Sequence, residues 1–481
     1  MELELNNNDI FNKGKYVLND SKEPFKTFSD SSEIFLTQEN NLTLKKEILR
    51  LISESQEVIK ICTFILTDKE IYSAIIDKAE NSNVAIFILT QLDQKKLINE
   101  LVLSDFVTEE ELKEGSAQTH IKYIKRLFDV GVHIRAAASI HAKFIVSDRK
   151  HSIITSANLT SPSLSINTES GVYLDDKEAV ELDQLFDLIF KNGTTYRQFL
   201  GSVKKHKILI VQSDNKIDKN LIPSNKLTGL RYTYENITNN LYDEIIEIIN
   251  ESTEDLFIST YSIVSLKLLP EFTDSIKSAI KRGVQIFVFC RGMNYRNDHL
   301  EGSNTLQSIG CNIYADIFNH SKGIINHKRG LIFTANIDGN YGLKQGFEVG
   351  CLLNENQRQE FLRLHKYLIE TAYYKFDPKP KRIDVFNTFK QYEKDKGIKS
   401  PVFKDELIIK VRNGISIDKT KMKEDLLFYG KKKDSEYIIC DNSLYLCNRL
   451  ENIFEIIRKE KPCYNIEKYV LKYHNLKLII N

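Results

Sequence analysis

The feature that most constrains this 481-residue chain is one chemical pattern written twice. The first copy reads His141-Ala-Lys143-Phe-Ile-Val-Ser-Asp148, then Ser156-Ala-Asn158, then Glu169. The second reads His320-Ser-Lys322-Gly-Ile-Ile, then Thr334-Ala-Asn336, then Glu348. Each His-x-Lys opens an apolar run that reads as a strand, where side chains two apart share a face. Each histidine and its lysine should therefore point into one pocket. An imidazole beside an ammonium group, with an amide and a hydroxyl downstream, suits an anionic phosphorus centre.

The repetition extends upstream. A stretch from Glu54-Ser-Gln-Glu to Ile65 matches Glu251-Ser-Thr-Glu to Ser262, and Asn83-Val-Ala-Ile-Phe-Ile-Leu89 matches Gly283-Val-Gln-Ile-Phe-Val-Phe289. Val130-Gly-Val-His-Ile matches Ile309-Gly-Cys-Asn-Ile. Strand and helix patterns recur in one order, which predicts two equivalent α/β units. A charged, helix-like insertion over Lys95 to His120 accounts for part of the drift in spacing between copies.

The doubled motif resembles that of the phospholipase D superfamily, His-x-Lys-x4-Asp followed by Gly-Ser-x-Asn. The first copy matches at His141, Lys143, Asp148, Ser156 and Asn158, with Thr155 at the Gly position. The second matches at His320, Lys322 and Asn336, with Thr334 for Ser, Phe333 for Gly and His327 where Asp is usual. The resemblance implies an α/β fold of two repeated phospholipase D-like units, a pseudo-dimer around one site, with a small C-terminal accessory domain. It implies a catalytic set of His141, Lys143, Asn158, Glu169, His320, Lys322, Asn336 and Glu348, supported by Asp148, Ser156 and Thr334. One imidazole attacks phosphorus and the other protonates the leaving oxygen, so they begin in opposite protonation states. By the resemblance His141 is the nucleophile and His320 the acid. The lysines neutralise phosphoryl oxygens, the asparagines and hydroxyls donate to them, and each glutamate orients an imidazole. No metal or other cofactor is implied.

Composition narrows the setting. Formal net charge is +1, so the whole chain is no polycation. Charge is uneven: from Lys381 onward there are roughly 22 basic and roughly 15 acidic residues, an excess that suits a solvated surface or an arm that meets phosphates. The seven cysteines form no Cys-x-x-Cys pair, which predicts reduced thiols in the core and a cytoplasmic protein. The N-terminus does not read as a signal peptide, and no apolar run approaches the roughly 20 residues that cross a bilayer.

The expected organisation is a first unit over 1–205, a connector and second unit over 206–376, and a basic accessory region over 377–481. Asp377-Pro-Lys-Pro-Lys-Arg382 marks the last boundary, because two prolines disfavour helix. Strands are expected at Leu407 to Val411, Tyr437 to Cys440 and Ser443 to Leu446, with a helix near Leu450 to Arg458. Arg291 and Arg296, after a strand end, are candidate phosphate contacts, while His133 and His151 read as structural. The leading expectation is a nuclease acting on DNA or RNA, of the kind that serves restriction or anti-phage defence. The alternatives are a phospholipase D or phosphatidyltransferase, and a degenerate nucleic acid binding scaffold. Nucleic acid is the expected partner, with a protein partner through the C-terminal region. Two motifs in one chain make a monomer sufficient and leave a homodimer open.

Overall fold

The computed structural model describes residues 2–5, 14–39, 41–92, 115–137, 139–192, 195–202, 205–212, 221, 228–234, 237–294, 296–381, 384, 388, 426–432, 435–440, 444–448, 453–458, 469–473 and 476–480. The chain forms two compact units. One comprises Met1–Asp20, Met293–Asn304 and Tyr374–Asn481; the other comprises Ser21–Gly292 and Thr305–Tyr373. Both copies of the motif lie in the second of these, which is a mixed α/β structure.

That unit shows the repeat strand by strand. In the first copy neighbouring strands run His133–Ala137, Ala85–Thr90, Val58–Cys62, Phe144–Ser147, His151–Thr155, Glu169–Tyr173 and Phe35–Thr37. In the second they run Asn312–Asp316, Ile286–Arg291, Leu256–Ser259, Gly323–Ile325, Gly330–Phe333, Glu348–Leu352 and Leu230–Tyr234. Val58–Cys62 pairs parallel with Ala85–Thr90 and antiparallel with the motif strand Phe144–Ser147. Leu256–Ser259 does the same with Ile286–Arg291 and Gly323–Ile325. Crossover helices supply the parallel part, as a parallel pair requires. Asp68 caps one of them, Lys69–Asn81, accepting from the Glu70 and Ile71 amides at 3.0 Å. Gly131 and Gly310, with φ of +92° and +118°, follow the helices Gly115–Asp129 and Asn297–Ile309 at matching points of the repeat.

The apolar pattern decides where each sheet buries its faces. Helix Thr43–Glu54 buries Leu44, Ile48, Leu51 and Ile52, spaced to share one side, against the core of the first copy. A second core runs through both copies: Phe144, Val146 and Phe186 of the first join Ile325, Ile332, Phe347, Val349, Phe361 and Leu364 of the second. The Phe144 and Phe347 rings meet edge to face at 6.3 Å. Each fully buried aromatic contributes roughly 1.5–3 kcal/mol, so this shared core holds the two motif strands in register.

The first-named unit is organised differently. Strand Lys15–Leu18 pairs antiparallel with Tyr374–Asp377. The Tyr16 hydroxyl lies 3.0 Å from His299 Nε2 and 2.6 Å from Ser303 Oγ, and Asn294 closes on the Tyr16 backbone from both sides. Leu426–Lys432, Ser435–Cys440, Leu444–Asn448 and Ile453–Arg458 form an antiparallel sheet. The helix expected near Leu450 to Arg458 is thus a strand over Ile453–Arg458. Its Ile-Phe-x-Ile-Ile run is compatible with either period, and the antiparallel partner Leu444–Asn448 decides. The expected strand at 407–411 and most of the 95–120 insertion lie outside the described residues; Gly115–Asp129 is helical.

Candidate active site

Each motif histidine sits three residues ahead of its strand, Phe144–Ser147 or Gly323–Ile325, where backbone hydrogen bonds join one copy to the other. His141 N donates to Phe347 O at 3.1 Å and Phe347 N to Ser139 O at 2.7 Å. His320 N donates to Thr168 O and Thr168 N to Phe318 O, both at 2.9 Å. These are short parallel bridges, Ile140 with Phe347 and Thr168 with Asn319. Each brings the residue just before a glutamate in one copy against the residue just before the histidine in the other.

The consequence is a crossed arrangement. His141 Nδ1 lies 2.7 Å from Glu348 Oε1, and His320 Nδ1 lies 2.8 Å from Glu169 Oε1. Each imidazole therefore gives its Nδ1 to the carboxylate of the opposite copy, which leaves Nε2 as the other ring nitrogen for a reacting group. The glutamates are held in turn. Ser156 Oγ donates to Glu169 Oε2 and Thr334 Oγ1 to Glu348 Oε2, each at 2.5 Å. Those hydroxyls were expected to reach a phosphate; in this structure they fix the carboxylates instead. Across the seam, Ser170 Oγ and Ser321 Oγ lie 2.8 Å apart.

Lys143 and Lys322 are buried on the same faces as their histidines, at 1 % and 0 % exposure. Lys143 Nζ donates to the His141 carbonyl, and Lys322 Nζ donates to the His320 carbonyl at 2.7 Å. Buried ammonium groups tolerate this depth only beside negative charge, and the carboxylates supply it. Glu169 and Glu348 are both held below the usual carboxylate range: burial opposes this, but the facing His320 and His141 and the neighbouring Lys322 and Lys143 outweigh it. The amide oxygens of Asn158 and Asn336 are buried without a protein hydrogen-bond partner. The two imidazoles, two ammonium groups and two carboxylates are thus linked through hydrogen bonds and charge across the two copies.

The two imidazoles are not equivalent. His320 is 2 % exposed, and burial pushes its pKa down to about 4; Lys322 and Lys143 push the same way, and Glu169 opposes them. At neutral pH the ring is uncharged, so its contact to Glu169 is a hydrogen bond to an anion rather than an ion pair. That Lys143 of the first copy acts on His320 of the second shows the two motifs share one electrostatic environment. His141 keeps 18 % of its side chain exposed. Phe64 packs edge-on to His141 at 6.1 Å and Tyr261 edge-on to His320 at 5.0 Å. These rings occupy matching positions after Thr63 and Thr260, whose hydroxyls each close a turn on the carbonyl two residues on. The matching Thr-Phe and Thr-Tyr steps were the sequence signal for this pair.

Asp148 is not with the others. It lies at the far end of the motif strand, roughly 20 Å along the chain from His141. Its carboxylate accepts from the backbone N–H groups of Gln56, Glu57 and Val58 at 2.8–3.2 Å. In the second copy Asn326, not His327, makes the corresponding tie: its amide donates to Ile248 O and Ser252 Oγ and its oxygen accepts from the Lys328 and Arg329 amides. His327 lies at the surface, 3.5 Å from Thr253 Oγ1. Arg291 is 1 % exposed, with its guanidinium 5.3 Å from the Tyr261 ring that packs on His320. Arg296 pairs with Asp298 in the other compact unit. His133 stacks on Phe87, and His151 is exposed.

Comparison with known proteins agrees with this geometry. Residues 48–190 match a family described as cardiolipin synthase, PLD-like domain. The fold is similar to phosphatidylserine synthase from Haemophilus influenzae Rd KW20, at 12 % identity and a TM-score of 0.50, over 81 % of this chain and 97 % of that one. Weaker likenesses, which carry no argument, are to polyphosphate kinase from Porphyromonas gingivalis (14 % identity, TM-score 0.42, 72 % of this chain and 54 % of that one) and to Nuc, a phospholipase D family member from Salmonella typhimurium (14 %, 0.27, 30 % and 96 %). No curated protein sequence matches. Two crossed His–Glu pairs, a repeated strand order and the match over the first copy lead to one conclusion. Residues 48–190 carry a phospholipase D-like domain, and members of that superfamily are phosphodiesterase-type enzymes. Among the described residues no helix is long and apolar enough to cross a membrane.

Proposed function

We propose that this protein is a nuclease that cleaves phosphodiesters through a covalent phosphohistidine. The observation that carries the chemistry is the crossed pairing of His141 with Glu348 and His320 with Glu169 in one compact unit. A phosphate between the two rings meets Lys143 and Lys322 as counter-charges and the Asn158 and Asn336 amides as hydrogen-bonding groups. One neutral imidazole forms an N–P bond from Nε2 while the P–O bond to the leaving group breaks. The other, protonated, gives its proton to that departing oxygen. The same ring then takes a proton from water as the water oxygen displaces the first imidazole.

The burial contrast favours exchanging the roles that the family resemblance assigns. Burial keeps His320 neutral in the free protein, which suits it to attack from Nε2. His141, open to solvent and braced by Glu348, carries the proton in and out. Substitution of His141 then stalls hydrolysis of the intermediate, and a labelled substrate remains bound to the protein at His320. Label found at His141 in a His320→Ala variant restores the original order.

Nucleic acid as the substrate class is supported by the Thr-Ser-Ala-Asn-Leu-Thr and Asn-Thr-Glu segments of the first motif, which look like nuclease-type members, some of them defence enzymes. It is supported by the basic excess after Lys381, which would also suit a protein partner. Tyr341 adds to this: its ring is 70 % exposed, and its carbonyl accepts from Gly346, whose neighbour Phe347 bridges to Ser139 beside His141. An exposed ring there can stack on a base. The buried free thiols Cys62, Cys290, Cys311 and Cys351 suit a reducing, cytoplasmic setting. A second reading, transfer of a phosphatidyl group, is favoured by the names carried by the matching family and by the H. influenzae structure. Incubation with single- and double-stranded DNA, RNA and phospholipid vesicles, with chelator present, separates the two. Nucleic acid cleavage lost in His141→Ala and His320→Ala supports the nuclease; head-group release lost in both supports the lipid enzyme; no turnover by folded protein ends both.

A further inference from the structure

Two residues before each orienting glutamate the copies part company: Asn167 stands in the first and Gly346 in the second. The geometry of this position is visible at Gly346. A Cβ built there would lie 3.1 Å from the Tyr341 carbonyl oxygen, 3.6 Å from that of Ser139 and 3.7 Å from Glu348 Cγ. The position therefore faces the same side as the glutamate and abuts the backbone that leads into the opposite histidine. Asn167 holds the matching place relative to Glu169, and its successor Thr168 bridges to Phe318 as Phe347 bridges to Ser139.

Asn167 is 0 % exposed, and neither its amide nitrogen nor its amide oxygen has a hydrogen-bond partner in the protein. Its backbone N–H closes the preceding turn on Pro162 O, so the turn makes no use of the side chain. A buried amide without partners costs stability. Asn158 and Asn336 also carry partnerless amide oxygens, but each has its counterpart in the other copy. Asn167 has no such counterpart, and it stands two residues before Glu169, the partner of His320.

We infer that Asn167 recognises a hydroxyl next to the scissile phosphate, and that this hydroxyl is the ribose 2′-OH of RNA. The inference rests on the nuclease reading above. One unmet donor and one unmet acceptor on a planar amide are met together by a group that both accepts and donates, which a hydroxyl does. The 2′-OH is the group by which a protein separates RNA from DNA at a single nucleotide. Gly346 presents no side chain on the His141 side, so recognition is one-sided: the nucleotide beside His320 is read.

The test compares kcat/KM on single-stranded RNA, DNA and 2′-O-methyl RNA of one sequence, for the wild type, Asn167→Gly (the residue of the second copy) and Asn167→Leu. The wild type should prefer RNA at least tenfold, with 2′-O-methyl RNA treated like DNA. Both variants should bring the RNA-to-DNA ratio within twofold of unity. Leucine removes the partnerless amide and keeps its branched shape, so Asn167→Leu should unfold at or above the wild-type temperature. Equal cleavage of RNA and DNA by the wild type overturns the inference and leaves the nuclease reading intact, as does a ratio that both variants retain. An Asn167→Leu protein that melts well below the wild type also overturns it, because the amide then serves the fold. Lipid turnover without nucleic acid cleavage overturns both.

Discussion

The two copies reach one active-site geometry by different local means. Where the first ties its motif strand to the preceding helix end through Asp148 and a Ser147–Ser55 hydroxyl contact, the second uses Asn326 to Ile248 and Ser252. Where the first places Asn167 before its glutamate, the second places Gly346. The first leaves its histidine 18 % exposed and the second buries it. What stays the same is the set His, Lys, Asn, Glu and the hydroxyl on the glutamate. The difference teaches that Asp148 braces the far end of its strand by satisfying backbone donors, and that the second copy braces the same end through a different polar contact, Asn326 with Ile248 and Ser252.

The largest effect should come from breaking the crossing. Glu348→Gln removes the charge behind His141, and Glu169→Gln the charge behind His320. Each should lower kcat by about 10–100-fold, the usual cost of losing the group that orients a reacting ring. Ring 15N shifts give the sharper readout. Glu348→Gln should move the His141 signals and leave those of His320 nearly unchanged, with the reverse for Glu169→Gln. If each substitution moves the histidine of its own copy, the crossed geometry is wrong.

A smaller effect tests the scaffold. Asp148→Ala strands three backbone N–H groups and Asn326→Ala leaves the Lys328 and Arg329 amides without their acceptor, so each should cost about 1–3 kcal/mol in urea unfolding. kcat should stay within about threefold of the wild type. A collapse of kcat with stability unchanged would place Asp148 in the chemistry. His327→Asp should change neither quantity, because Asn326 already makes the tie.

The most gradual effect is in pH. Burial holds His120, His320 and His365 each at about 4, below the ordinary histidine value of 6.5. Between about 4 and about 6.5 the unfolded chain binds protons that the folded chain refuses, so stability present at pH 7 is lost progressively as pH falls through that window. The lowered carboxylates Glu169, Glu348 and Asp148 extend the loss further into acid. Thermal unfolding followed from pH 7.5 to 4 should show a steady fall. His365→Asn should flatten part of it; a flat wild-type profile would contradict the burial of these rings.

Much of the fold is legible in the residues. Period-two runs mark the strands, Leu44, Ile48, Leu51 and Ile52 mark a helix, and the doubled order of runs predicts the doubled sheet. The tail was harder: Ile453 to Arg458 carries an apolar spacing that fits helix or strand, and only pairing with Leu444–Asn448 decides. At the site, the doubled His-x-Lys spacing with a downstream Asn and Glu made the candidate set readable. The hydroxyls Ser156 and Thr334 were misread as phosphate donors, since nothing in the spacing shows that a carboxylate 13 or 14 residues on folds back to accept from them.

By itself, then, the sequence determined that a His, Lys, Asn and Glu set comes twice on two equivalent frames, because both follow from the repeated order of short motifs and apolar runs. Which carboxylate serves which imidazole was decided by tertiary structure alone. The partners are 207 and 151 residues apart, and they meet only because the shared apolar core and the two parallel bridges carry each histidine across to the other copy. The same packing decided the inequality of the two rings, since burial is a property of the assembled interior that no local pattern encodes.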